Sequence, residues 1–242
     1  MLLELIMDTR TLLLTFMTLI VVGIVVLVVY GLLNSYGIAY TNPISPQKDS
    51  VELIGPLHSG MDSTVLTANL PRSMNENDGL EFSYTAWILV DDFSYGTSKE
   101  PVIFIRGTGS PVVKLIADTN SIVVSQKLYN GKQDIQIRNV PAEKLIHLAV
   151  TVSQTALDVY VNGLLHTHKS LDSLPLIEEA PVQVGPSGGW KGKIGSFVYY
   201  NYALSSGEVR SIASKRAKRN PNDEPPNPPY FDTTWWVGRN DN

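Results

Sequence analysis

Paired acidic side chains are the first place to look for chemistry in this chain, because cleaving a glycosidic bond with retention needs two carboxylates about 5 Å apart. Adjacent pairs in the β-rich region are Asp91-Asp92 and Glu178-Glu179. Neighbours on a strand point to opposite faces, so neither pair converges on one bond. His166 and His168 share a strand face across Thr167 and offer two metal ligands without an evident third, and His147 stands apart from them. Asp91, Asp92 and Asp118 carry the oxygen donors that calcium takes, and are equally the residues that turns prefer. The chain has no cysteine, which removes thiolate nucleophiles, thiolate metal sites and disulfides together. The expectation is a protein that is not an enzyme and has no resident cofactor, calcium being the one ion considered. Serine-hydrolase chemistry is not expected either.

What remains is chemistry of contact. Tyr200, Tyr202 and Trp190 near the end of the β-rich region, and Tyr230, Phe231, Trp235 and Trp236 near the C-terminus, are flat apolar surfaces that stack on sugars or fill pockets in a partner. Lys215, Arg216, Lys218 and Arg219 form a basic cluster. Charge at the end of a helix explains it on dipole grounds, and anionic lipid headgroups or an acidic partner are the functional alternative. A net charge of −4 and a pI of about 5.6 give no global field for nucleic acid, so no nucleic-acid partner is expected.

The elements that position these groups begin with residues 11–33, a run of 23 residues without a charge. As a helix at about 1.5 Å per residue it reaches roughly 34 Å, enough to cross a hydrocarbon core of about 30 Å. Its leader, residues 1–10, carries Glu4, Asp8 and one Arg10 rather than a basic stretch, and the run exceeds a signal-peptide core. A single-pass anchor in a lipid bilayer is therefore expected, with its orientation left open by the few flanking cations. Gly37 and Ala39 supply the rival, a cleavage site. Residues 34–50 are a polar linker.

From residue 51 the pattern turns to period two: Phe82, Tyr84, Ala86, Ile88 and Val90 on one strand, Ile146, Leu148, Val150 and Val152 on another, then Leu157, Val159 and Val161. Turn signals at Asn77-Asp78-Gly79, Asn130-Gly131, Asn162-Gly163 and Gly185 to Gly192 separate about a dozen short strands. This predicts an all-β, two-sheet antiparallel sandwich with Trp87 in or beside its core. Ser205-Ser206-Gly207-Glu208 predicts a capping box, with a helix over 205–219 whose apolar face is Val209, Ile212 and Ala213. Residues 220–242 follow as a Pro-rich aromatic arm, with five prolines from Pro221 to Pro229. The closing segment, Phe197 to Tyr202, is apolar on both strand faces, so its outer face must be covered or adhesive.

Three stretches in order resemble laminin-G-like jelly rolls of the concanavalin A-like lectin/glucanase superfamily. They are Phe82-Ser-Tyr-Thr-Ala-Trp87-Ile88, then Ile146 to Val152 with Leu157-Asp-Val-Tyr-Val-Asn162-Gly163, and finally Trp190-Lys-Gly192-Lys-Ile194-Gly195 with Tyr200 to Ser205 and Glu208. The resemblance implies a jelly roll over 51–219 and a role in binding sugars, proteins or calcium. A glucanase of this superfamily would carry Glu-x-Asp-x-x-Glu, which does not occur. Gly195 stands where many relatives carry an aspartate, and Leu145 replaces a common tryptophan. The functional expectation is a membrane-anchored binding or scaffolding protein contacting a protein partner, a neighbouring subunit or a glycan. The alternatives are a structural component of a membrane-containing virion, favoured by the missing cysteines and the missing Asn-x-Ser/Thr acceptors, and a cell-surface lectin.

Overall fold

A computed structural model describes residues 9–35, 47–76, 79–93 and 100–218. It divides into two compact units, Met1–Gln47 and Lys48–Asn242. The first contains helix α1 (Thr9–Ser35). Its stretch Thr11–Leu32 has a mean hydropathy of 3.1, and none of it is buried against the rest of the chain. Within it the hydroxyls of Thr15 and Thr18 donate to the carbonyls of Leu12 and Thr15 at 2.9 and 2.8 Å.

The second unit is a sandwich of two antiparallel sheets. Its strands are β1 (Ser50–Ile54), β2 (His58–Ser59), β3 (Thr64–Leu66), β4 (Met74–Glu76), β5 (Gly79–Asp92), β6 (Val102–Arg106) and β7 (Val112–Ile116). They continue as β8 (Ser121–Leu128), β9 (Gly131–Ile137), β10 (Leu145–Ser153), β11 (Ala156–Val161), β12 (Leu164–Ser170), β13 (Val182–Val184) and β14 (Lys191–Tyr200). One sheet runs β1-β14-β5-β10-β11-β12, with β2 beside β14 and β4 beside β5; the other runs β3-β13-β6-β7-β8-β9. Strand β1 begins at Ser50, so the expected linker gives up its last residue to the sheet.

The period-two pattern sets the register. Strand β10 pairs with β5 so that Val150 lies opposite Tyr84 and Leu148 opposite Ala86, and this parity faces the core: Phe82, Tyr84, Ala86, Ile88 and Val90 are all buried. The Asn162-Gly163 turn joining β11 to β12 has φ of 50° and 80°, the two positive angles of a tight hairpin whose twist matches its strands. In β14 a bulge places Ser196 at φ 44°, which resets the parity so that Ile194, Phe197 and Tyr199 all reach the core.

The two tryptophans of the resemblance exchange the places expected for them. Trp87 has the opposite parity to Phe82 and Tyr84, so it sits half-buried on the outer face, against the His147 ring at 5.3 Å. The core block is Trp190, with 0% of its surface exposed. It fits because Gly60 and Gly192 flank it; a Cβ on either would lie 2.5 or 2.2 Å from its ring. Helix α2 (Ser206–Ser214) is also shorter than expected, and the chain leaves it in an extended conformation at Lys215. Its capping box forms as read, with Ser205 accepting from the Glu208 amide and the Glu208 carboxylate accepting from the Ser205 amide at 2.8 Å.

Candidate functional site

The aromatic residues of the closing segment are sorted by the fold into three fates. Trp190 is a core side chain and not part of a binding surface. Tyr200 and Tyr202 are half-buried, packed edge-to-face at 5.7 Å, and join Ala149, Tyr160, Leu204, Val209 and Ile212 in a second apolar cluster. Helix α2 thereby covers the outer face of β14, β10 and β11, and the Lys48 ammonium caps the Tyr202 ring at 4.6 Å. Tyr230, Phe231, Trp235 and Trp236 lie outside the described residues.

The basic cluster is divided in the same way. Lys215 and Arg216 are exposed just past α2. Lys218 instead grips Glu52 on β1, with Nζ to the two carboxylate oxygens at 2.6 and 2.8 Å, while its amide donates to Ser196 Oγ at 3.0 Å. Arg219 lies outside the described residues. A patch of four free cations is therefore not what this segment presents: Lys218 serves as a clasp.

The remaining candidates fall apart as chemistry. Glu178 accepts from the Thr108 amide at 2.6 Å and from Lys127 Nζ at 2.9 Å, and these bonds, led by those of Thr108, hold its carboxyl down to about 2. Glu179 turns the other way toward Arg72, 3.9 Å off in an exposed pair. His168 Nδ1 is engaged by Asp158 at 2.6 Å and His166 Nδ1 by Thr167 at 2.8 Å. Asp118 sits in a 3-10 turn between β7 and β8. Among the described residues no group of three or more histidines and carboxylates is placed to hold a metal. His147 is 1% exposed with neither ring nitrogen partnered, and burial pushes it down to about 4.

The expectation of no serine-hydrolase chemistry rests on the absence of a Gly-x-Ser-x-Gly order, yet that order is present in the sequence. Gly185-Pro186-Ser187-Gly188-Gly189 has the Gly-x-Ser-x-Gly order of a nucleophile elbow. Here it joins β13 to β14 through a 3-10 turn with Ser187 at φ 60°, ψ 40°, so it is a strand-to-strand turn and not the strand-to-helix turn that exposes a nucleophile.

A second feature that the sequence pattern does not single out is Arg106, the last residue of β6. It is 7% exposed and points between the sheets, with Nη1 3.3 Å from the Tyr84 hydroxyl and its guanidinium 5.6 Å from the Tyr199 ring centroid. Only its side is legible in sequence: an arginine closing the run Val102-Ile-Phe-Ile-Arg106 keeps the parity of Phe104. Arg106 lines an open cleft of about 810 Å³ between the segment 66–73 and the segment 177–181.

The two-sheet antiparallel sandwich, with its crossovers between non-consecutive strands, is a jelly-roll-like architecture. The concanavalin A-like lectin/glucanases superfamily, in its Laminin_G_3 family, matches residues 59–210, and the chain belongs to that family. Among solved structures, the receptor binding domain of botulinum neurotoxin mosaic serotype C/D superposes with a TM-score of 0.51 at 13% identity, covering 69% of this chain and 45% of that one. The botulinum neurotoxin serotype D binding domain gives 0.51 at 14% identity, covering 70% and 46%. The chain thus spans less than half the length of either, and at these identities the likeness concerns the fold. Comparison with curated proteins gives no match.

Proposed function

We propose that this chain is a single-pass, membrane-anchored binding protein without catalytic activity, which holds its laminin-G-like domain at a bilayer to contact a protein or a glycan. The observation that carries the anchor is α1, which is apolar all round with none of Thr11–Leu32 buried. A helix hydrophobic on every side belongs inside a protein core or a membrane, and among the described residues nothing buries it. The binding role is supported by the family and by the neighbouring structures, which are themselves receptor-binding domains. Carbonate extraction tests the anchor: full-length protein should remain with the membrane pellet and keep its first residues. Recovery in the supernatant with an N-terminus at Tyr40 would identify α1 as a cleaved signal.

The second reading, a membrane-to-shell linker in a membrane-containing virion, draws on the Pro-rich aromatic sequence of residues 220–242 and on the absence of cysteines and glycosylation acceptors. Detergent stripping of particles separates it from the cell-surface lectin. A linker stays with the protein shell through its domain, whereas a lectin leaves with the lipid and binds immobilised glycans.

A further inference from the structure

Arg106 is a buried cation without an anionic partner among the described residues. Its Nε has no hydrogen-bond partner, its side-chain hydrogen bonds go to phenols, those of Tyr84 and Tyr199, and it belongs to none of the ion pairs among the described residues. Burial raises the Tyr84 hydroxyl above its ordinary value, so Tyr84 cannot supply the missing negative charge. A guanidinium does not lose its proton, so the site stays charged at any physiological pH. Holding such a charge out of water is costly unless something neutralises it.

The cleft beside Arg106 shows what could. Its walls are Leu66, Leu70, Ile177 and Pro181, with Thr67 and Asn69 offering uncharged hydrogen-bonding groups. Two further charges line it, Arg72 and Glu179, and these pair with one another at the exposed rim. The lining is left with one net positive charge, set deep. A single planar cation suits a monoanion, and a carboxylate matches the flat guanidinium in shape. The volume, about 810 Å³, lies in the range of small-ligand sites.

We propose that this cleft is a ligand site for a small hydroxylated carboxylic acid, of the sugar-acid class, whose carboxylate neutralises Arg106 while its hydroxyls meet Thr67 and Asn69. The site rests on the binding-module reading and is independent of the membrane anchor.

The test uses the full chain in detergent, with D-glucuronate, D-glucose, L-glutamate and sodium sulfate as probes, read by thermal shift and titration calorimetry. Glucuronate should raise the melting temperature and bind at least ten times more tightly than glucose, glutamate or sulfate. Arg106→Met should lose that binding by tenfold or more yet melt, without ligand, no lower than the parent, because it removes an uncompensated charge. If Arg106→Met fails to fold, Arg106→Lys decides, since it keeps the charge without the planar fork: tenfold weaker glucuronate binding supports the site. No response of the parent to glucuronate, equal responses to any of the other three probes, or undiminished binding by Arg106→Lys would each overturn it. In those cases Arg106 is a structural cation held by Tyr84 and Tyr199. Cross-linking to a protein partner would still report on the binding-module reading separately.

Discussion

Trp190 illustrates how much a single ring depends on residues that carry no side chain at all. Its slot exists because positions 60 and 192 are glycine, so Trp190→Ala should cost about 3 to 5 kcal/mol in chemical denaturation, the range for deleting a large buried aromatic. Trp87→Ala, on the outer face, should cost about 1 to 2 kcal/mol, and equal losses would contradict the exchange of places described above. The parity of Phe82 and Tyr84 already excluded Trp87 from the core, so that part of the site was legible. Trp190 was not, because it lies in a turn before β14, where no periodicity reports which way a side chain points. His147 makes a prediction of a different kind. Burial lowers it from an ordinary 6.5 to about 4, so the folded state holds neutral imidazole where the unfolded chain takes a proton. Stability from this group is complete above pH 6.5, falls as the pH drops toward 4, and amounts to about 3 kcal/mol at most. Urea titrations at pH 7 and pH 4.5 should show that loss in the parent and a smaller one in His147→Leu.

Helix α2 was the most legible element, since its capping box can be read from Ser205 and Glu208, yet its length was not. The expected end at residue 219 followed the cations, whereas the helix stops at Ser214 and Lys218 is drawn to Glu52 on β1. That pairing joins residues 166 apart, and no local pattern encodes it. Ser205→Ala should remove about 1 kcal/mol. Since α2 covers Tyr200 and Tyr202, the variant should also show faster quenching of tyrosine fluorescence by iodide; unchanged quenching would mean that α2 is not their cover. Gly195 is held to glycine by the chain that passes over it. A Cβ there would stand 2.8 Å from the Leu57 Cα, so the backbone of 56–57 passes directly over it. Gly195→Asp should destabilise by about 1 to 3 kcal/mol through overpacking, measurable as a lower melting temperature.

For the whole molecule, the sequence carried the sandwich almost completely, because alternation, turn residues and a capping signal all agree. The partner surfaces were read less well. A stripe of tyrosines looks adhesive in one dimension and proves to be the seat of a helix, and a buried arginine looks like one more strand residue until the opposite sheet is seen to offer only phenols. The division into two units leads to a further expectation. Residues 48–242, expressed without α1, should remain in solution without detergent, whereas the full chain should partition into Triton X-114. Partition of both into the aqueous phase would remove the anchor.

The clasp between Glu52 and Lys218 has a mechanical consequence. The domain begins at Ser50 on β1, whose partner strand is β14, and the Lys218 carbonyl accepts from the Leu57 amide at 3.2 Å, so the described chain enters and leaves along one edge of one sheet. Tension between a tether at the start of the domain and a grip beyond residue 218 is therefore borne by this edge, with little of it crossing the sandwich. The clasp is an exposed ion pair and a few hydrogen bonds, and it would part before the core is strained. A pull applied at both ends of the domain would therefore open this edge before the sandwich.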